Sequence, residues 1–352
     1  MSKIRTVVLG LGRSGWRHHC GSIAPHPRFE LAGVVDAVPD RLQEAREQYG
    51  CETDTDAARL IARLRPELVV VALPSHLHGP MSIMALEAGC HVLVEKPMAV
   101  SAAEARRMID VARRTGRVLT VFQSARVRPA FVKLQEVMAD GRIGTPVLVK
   151  MRSQTYLRRR DWQMLLSRGG GMLPNTGAHF VDQALLLLGG APEQLFCDMR
   201  HTVSAGDADD HLKLLMRRGN LTVDIELTQI ATFKDEASTV VYGTCGGIQV
   251  KGDTMTIRWF DPKSVPEPVL YDGPAVNRSY DKPEDLPWQE EVVQLPGGKT
   301  EPLFYDRLAA TLRDGAPLFV TPEQVLIQME VFDECRRLNG FPVAEGAAVG
   351  GV

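Results

Sequence analysis

One local pattern limits this chain more than any bulk property. A β-branched apolar run, Lys3–Leu9, breaks directly into Gly10-Leu11-Gly12-Arg13-Ser14-Gly15. Alone, G-x-G-x-x-G is a weak signal. Here it follows a strand-like run, opens a helical stretch over Arg13–Ala24, and is trailed by Asp36 at the end of a second run, Phe29–Val35. That is the context of a dinucleotide-binding turn. Gly10 would make the tight turn, Gly12 would let backbone approach a pyrophosphate, and Gly15 would let helix pack on strand. The helix start, with Arg13 and Ser14, would offer N–H donors and a positive dipole end to the phosphates. A carboxylate at Asp36 would accept from the adenosine ribose and repel a 2′-phosphate, which favours NAD. Arg13 and Arg41 would soften that repulsion, so NADP stays as the alternative.

The alternation of strand and helix continues to residue 122. Pro39–Tyr49 reads as a charged helix stopped by Gly50, and Asp54 or Thr55 as the cap of a helix reaching Leu64. Leu68–Leu73 is wholly apolar, as in a strand buried on both faces. Leu77–Glu87 is helical and His91–Val94 is a strand. Ser101 with Glu104 forms a capping box for a helix to about Arg114, and Val118–Phe122 ends the series. Repeated βαβ units predict a Rossmann-type, doubly wound parallel sheet over residues 1–124.

Beyond Ser124 the pattern changes. Pro129–Ala139 reads as helix and Pro146–Ser153 as strand. Over Leu221–Thr228, Leu221, Val223, Ile225 and Leu227 alternate strictly with polar residues, as in an antiparallel strand with one wet or partner-facing side. Val240–Tyr242, Ile248–Lys251 and Met255–Phe260 continue the series. Residues 125–352 are therefore expected to form an α+β domain around a large, mostly antiparallel open sheet. Asp261–Pro302 is expected to be mostly loop, Thr321–Leu338 a helix capped by Thr321, and the tail GAAVGGV disordered.

The net charge of -2 argues against general nucleic-acid binding. Six scattered cysteines without a C-x-x-C pair suggest free thiols in a reducing, cytoplasmic setting. The N-terminal apolar run is too short and too glycine-broken for a signal peptide, and no run of about 18 apolar residues suggests a membrane span. His18, His19, His76 and His78 lack metal-ligand spacing, and no metal is expected. Turn chemistry explains Asp207, Asp209, Asp210 and His211 better than calcium does.

Several segments together resemble the glucose–fructose oxidoreductase/inositol dehydrogenase (Gfo/Idh/MocA) family. They are Gly10–Gly15 followed by His18, the Ala72–His78 loop with Leu73 and Pro74, and Glu95-Lys96-Pro97. Arg126-Val127-Arg128-Pro129 and the run Gly169–Leu173, leading to His179 and Asp182, complete the set. The resemblance implies a substrate cleft between a Rossmann domain and an open-sheet domain. It implies a cofactor pocket that includes Leu73, Pro74, His78, Glu95 and Lys96, and it assigns Arg126 to the substrate. It also implies hydride exchange with nicotinamide on sugars or cyclitols, and homodimers or homotetramers built through the sheet. The chain departs from the family at Asn175, where the residue four before the histidine is usually Asp.

The chemistry is consistent with those residues. Oxidising a secondary alcohol needs a base for the hydroxyl proton and a positive group near the developing alkoxide. Lys96 follows a strand at the carboxyl edge of the sheet, where ligands of such folds bind. It is a candidate acid, base or alkoxide clamp, or else a surface lysine stiffened by Pro97. Asn175 and His179, four apart on a predicted helix, share a face. His179 would relay the proton and Asn175 would orient the hydroxyl; the alternative is a core histidine bonded to Asp182 or to backbone. In Tyr156–Gln163, Arg158, Arg159 and Arg160 could recognise a carboxylate or phosphate and Trp162 could stack on a pyranose. A solvated basic loop with one anchoring aromatic fits the same residues. The expectation is an NAD(P)-dependent dehydrogenase of a sugar or cyclitol. The alternatives are a non-catalytic NAD(P)-binding sensor and a redox-neutral, NAD-dependent glycoside-cleaving enzyme.

Overall fold

The computed structural model describes residues 2–274 and 284–344, so the expectation for the tail GAAVGGV lies outside the described residues. Six parallel strands, β1 (Ile4–Leu9), β2 (Phe29–Val35), β3 (Glu52–Asp54), β4 (Leu68–Val71), β5 (His91–Val94) and β6 (Leu119–Val121), make one sheet. Their order is β3-β2-β1-β4-β5-β6. The order reverses between β1 and β4, and the carboxyl ends of strands at such a switch point form a ligand crevice. All four residues of β4 are buried, as its unbroken apolar run predicts.

The first helix, α1, departs from its predicted form. Ser14–Cys20 is wound with wide i→i+5 bonds, shown by the Gly21 N–H donating to the Trp16 carbonyl, and Gly21–Ile23 continues it. An apolar period near 3.6 does not reveal this winding. Four further helices cover the sheet: α2 (Pro39–Tyr49), α3 (Ala57–Leu64), α4 (His78–Glu87) and α5 (Ala102–Thr115). The α3 cap is Asp56, which accepts from Arg59 N at 2.9 Å. Asp54 is taken by the short strand β3, which the sequence pattern did not indicate. In α5 the capping box is displaced by one residue. Ser101 accepts from Glu104 N at 3.4 Å, but the Glu104 carboxylate accepts from Val100 N at 3.0 Å.

The second sheet has eight strands: β7 (Pro146–Gln154), β8 (Gln194–Arg200), β9 (His211–Arg218), β10 (Leu221–Thr228), β11 (Thr239–Gly243), β12 (Gly246–Lys251), β13 (Thr254–Trp259) and β14 (Gln289–Gln294). They run in the order β14-β13-β12-β11-β7-β10-β9-β8. All neighbours are antiparallel except β10 and β7, which run parallel with Val223 beside Val149. Alternation encodes which face a side chain takes, not the direction of the neighbour. The faces are as predicted: Val223, Ile225 and Leu227 are buried, while Lys213 reaches Asp224 (2.6 Å) and Glu226 (3.4 Å) on the other side. Strand β14 falls within the stretch expected to be loop.

Four more helices follow among the described residues: α6 (Pro129–Asp140), α7 (Ala178–Leu188), α8 (Glu301–Asp314) and α9 (Pro322–Leu338), the last with a full Thr321/Gln324 capping box. Helices α8 and α9 return to the first lobe. Tyr305 packs edge-on against Phe29, the Thr120 hydroxyl donates to Val320 O (2.8 Å), and Arg336 donates to Val100 O (2.7 Å). The division at residue 124 stands as our proposal for two functional units, braced by these helices. Among the described residues, no helix is long and apolar enough to cross a membrane.

Candidate active site

Two neighbouring chambers share Lys96, Asn175 and His179 in their walls, an inner one of about 1100 Å³ and an outer one of about 980 Å³. The inner chamber lies on the glycine turn. Gly10 has φ +92°, and a Cβ there would sit 2.6 Å from the Ala72 carbonyl oxygen. A Cβ on Gly15 would overlap the Gly10 carbonyl, so this glycine serves packing and does not line the chamber. A Cβ on Gly12 would meet nothing within 4 Å. The turn is thus closed below by packing and open above, which fits a pyrophosphate lying over Gly12. Arg13, Ser14, Asp36, Arg41, Leu73, Pro74, His78 and Glu95 line the same chamber.

The Asp36 carboxylate accepts from Leu11 N (2.6 Å) and Val38 N (2.9 Å), with Arg41 Nη1 3.4 Å away. It couples the glycine turn to the end of β2 and leaves Arg41 close to any adenosine ribose bound there. Asp36→Ala should therefore raise the NADPH-to-NADH affinity ratio by roughly tenfold or more, because it removes a carboxylate that repels the 2′-phosphate and frees Arg41. Fluorescence titration with both reduced coenzymes measures this; an unchanged ratio would place the ribose elsewhere.

Lys96 owes its position to a buried polar chain behind it. Glu95 lies between His19 Nε2 (3.1 Å) and the Lys96 backbone N–H (3.1 Å), and His19 Nδ1 meets the Tyr305 hydroxyl at 2.7 Å. Burial alone would push the Glu95 carboxyl up, but its hydrogen bond with His19 and the charges of His19 and Lys96 hold it at about 2. His78 fills the space below, its ring nitrogens 2.6 Å from Pro97 O and 2.8 Å from Leu73 O. It thereby joins two walls of the inner chamber. The Lys96 ammonium donates to both oxygens of Asn175, the carbonyl at 3.0 Å and Oδ1 at 3.1 Å. Burial pushes the Lys96 pKa down. Glu95 opposes this, and the charges of Arg13, Arg159 and Arg128 push it further down.

Asn175 sits in a second wide turn, Leu173–Gly177, that leads into α7. The start of that turn is fixed by Asp209, whose carbonyl accepts from Met172 N and whose carboxylate accepts from Leu173 N, both at 2.8 Å. Burial raises the Asp209 carboxyl to about 6. The acidic cluster does serve turns: Asp210 likewise accepts from Val203 N (2.9 Å) and Ser204 N (2.8 Å). Sequence spacing did not link Asp209 to the turn that carries Asn175, because its bond to Leu173 spans 36 residues.

His179 is the second residue of α7. Burial first, then the charges of Lys96 and Arg128, push its pKa down to about 3, so the ring is neutral. Its Nδ1 is buried without a partner among the described residues, and an orphaned buried nitrogen is uncommon unless a ligand completes it. Asp182 is not its partner, because that carboxylate is forked by Arg126 at 2.7 and 2.8 Å.

Arg126 is therefore a core residue. It was assigned to the substrate, but it lies in the core outside both chambers. Four of its N–H groups are spent on Asp182, Gln324 and the Phe319 carbonyl. Its neighbour in the same motif, Arg128, lines both chambers, as does Gln163, while Thr176 and Phe180 line the outer one. Only the R-V-R-P pattern could have pointed to Arg128. Arg160 lines the outer chamber and Trp162 the inner one. His18, bonded to Glu301 at 2.6 Å, forms the rim where α8 begins. Among the described residues, no three His, Cys, Asp or Glu side chains converge as metal ligands.

Residues 4–123 match the family model described as "Oxidoreductase family, NAD-binding Rossmann fold" (GFO_IDH_MocA), and residues 131–249 match the GFO/IDH/MocA C-terminal domain. D-Glucoside 3-dehydrogenase of Escherichia coli (strain K12) is 32% identical over 193 residues, 53% of this chain and 55% of that protein; the chain thus spans about half of that relative's length. scyllo-Inositol 2-dehydrogenase (NAD(+)) of Bacillus subtilis (strain 168) is 25% identical over 252 residues, 70% of this chain and 73% of that protein. An NAD-binding protein from Listeria innocua superposes with a TM-score of 0.82 at 23% identity, covering 97% of this chain and 98% of that one. At that identity the likeness concerns the fold.

Proposed function

Because the chain belongs to the Gfo/Idh/MocA oxidoreductase family, we propose that it transfers a hydride between nicotinamide and a secondary alcohol or ketone of a sugar, sugar derivative or cyclitol. One observation carries the proposal: the Lys96 ammonium and the unpartnered Nδ1 of His179 share walls with a chamber built on a glycine turn that fits a dinucleotide. NAD is the expected coenzyme, because Asp36 directly follows β2, with NADP as the alternative.

A bound nicotinamide would supply the hydride acceptor or donor; the rest falls to side chains. Lys96, its pKa lowered by burial and surrounded by guanidiniums, takes or returns the hydroxyl proton and steadies the negative oxygen. Asn175 holds the Lys96 ammonium through two neutral oxygens and so aims it without raising its pKa as a carboxylate would. His179, a neutral ring, hydrogen-bonds the reacting hydroxyl and holds it in place while Lys96 takes the proton. Arg160 and Trp162 contact the rest of the substrate. We further propose a cytoplasmic enzyme that pairs through the second sheet, whose outer face exposes Phe196 and Tyr242.

The test is a panel of sugars, cyclitols, uronates and sugar phosphates, followed by NADH absorbance and product chromatography together. The proposal expects stoichiometric NADH with an oxidised product. Release of an aglycone without net NADH would instead indicate the redox-neutral glycoside cleavage. Coenzyme binding with neither signal across the panel would indicate a sensor.

A further inference from the structure

We propose that the substrate is an anionic polyol, its carboxylate or phosphate held by Arg158 and Arg160 in the outer chamber. This rests on the oxidoreductase reading of the same cleft and names the class of molecule that fills it. The chain as a whole is nearly neutral, with 41 basic and 43 acidic residues. The outer chamber is not: six arginines and Lys96 line it with a single carboxylate, Asp161.

That carboxylate is already engaged. Arg159 forks it, with Nη2 at 2.9 Å and Nε at 3.2 Å, and also bonds Gln163. Arg152 Nε lies 2.6 Å from Asp235. Arg158 and Arg160 have no acidic or hydrogen-bonding partner for their side chains among the described residues, unlike arginines elsewhere that are forked by acids, such as Arg28 by Asp314 and Arg337 by Glu334.

The coenzyme does not account for them. Arg13 and Arg128 line the inner chamber and can meet a dinucleotide's phosphates, but Arg152, Arg158 and Arg160 line only the outer one. The loop that carries them is pinned. Leu157 N donates to Gln229 O at 3.0 Å, Thr155 N to Thr228 O at 3.0 Å and Ala205 N to Arg159 O at 2.9 Å. The free guanidiniums therefore ride on a fixed backbone, and planar guanidinium forks match the two oxygens of a carboxylate or phosphate. Because Lys96 lines the same chamber, an oxyanion seated there leaves the polyol's hydroxyls toward the proton-transfer group.

The experiment is calorimetric titration of the full chain saturated with NADH. The probes are glucuronate, galacturonate and glucose 6-phosphate, each against glucose, galactose and myo-inositol. At least one acid should bind on the order of tenfold tighter than its neutral parent, with the advantage shrinking as salt rises. The winning acid distinguishes carboxylate from phosphate. Arg158→Ala with Arg160→Ala should collapse the acid-to-neutral ratio toward one, and the paired Arg→Lys variant should keep part of it. Neutral parents that bind as well as the acids, no binding by either set, or an acid preference that survives the double alanine would each overturn the proposal. The same panel read by NADH absorbance separates the two readings. An acid bound through Arg158 and Arg160 but never oxidised keeps the anion site and sinks the dehydrogenase, whereas oxidation of neutral polyols alone does the reverse.

Discussion

Lys96→Ala is expected to lower kcat/KM by roughly a thousandfold, within the range that a positioned acid–base group contributes, while leaving NADH affinity within a few-fold. Steady-state kinetics beside a coenzyme titration reads both. Lys96→Arg should be nearly as inactive, because a guanidinium keeps the charge but cannot give up its proton near neutrality. A variant that retained turnover with Arg would make Lys96 a charge clamp only. The pH profile carries the sign. Lys96 must be neutral to accept the hydroxyl proton, so oxidation should rise as pH climbs through its pKa, which burial has lowered. Asn175→Asp would place a carboxylate where Oδ1 now lies 3.1 Å from the ammonium. That favours the charged form, so the rising limb should move to higher pH by roughly 1–2 units. A limb that stayed put would mean another group governs it.

Arg126→Ala should cost roughly 3–5 kcal/mol of stability, because it leaves the Asp182 carboxylate buried without its counter-ion. The melting temperature should fall on the order of 10 °C. The partial remedy is chemical: Arg126→Met combined with Asp182→Leu removes both charges and should recover much of the loss. Below the melting transition the single variant should keep its KM. A residue that touches substrate would show the opposite pattern, a raised KM with stability intact.

How much the residue order revealed depended on the range of the interaction. Strands of the first sheet were legible because βαβ units are local: each apolar run, each cap and each closing glycine lies within a few residues of what it controls. The glycine turn and Asp36 were legible for the same reason, and so were Lys96 and the pair Asn175 and His179, which line one pair of chambers. What escaped was distant or periodicity-neutral. Arg126 could not be told from Arg128 by motif, because two residues of one tight turn faced opposite sides, one the core and one the cleft. Asp209 reaches Leu173 across 36 residues, and β10 meets β7 in parallel although its alternation is that of any half-buried strand. The i→i+5 winding of α1 left the hydrophobic pattern almost unchanged. In the sequence Asn175 stands out only as a departure from the family's usual Asp. In the fold it is the residue that grips the Lys96 side chain, which no spacing rule would have told.

The return of α8 and α9 to the first lobe has a practical consequence for anyone exchanging parts between relatives. Tyr305 bonds His19, which bonds Glu95, the residue just before Lys96, while Gln328 reaches both Gln123 and the Ala178 carbonyl. A chimera cut at residue 124 would bring a foreign coenzyme half onto a native tail and sever this brace, leaving Tyr305 without Phe29, Phe122 and His19. The transplantable unit is discontinuous: the opening stretch travels with the last two helices, and the sheet between them is the insert.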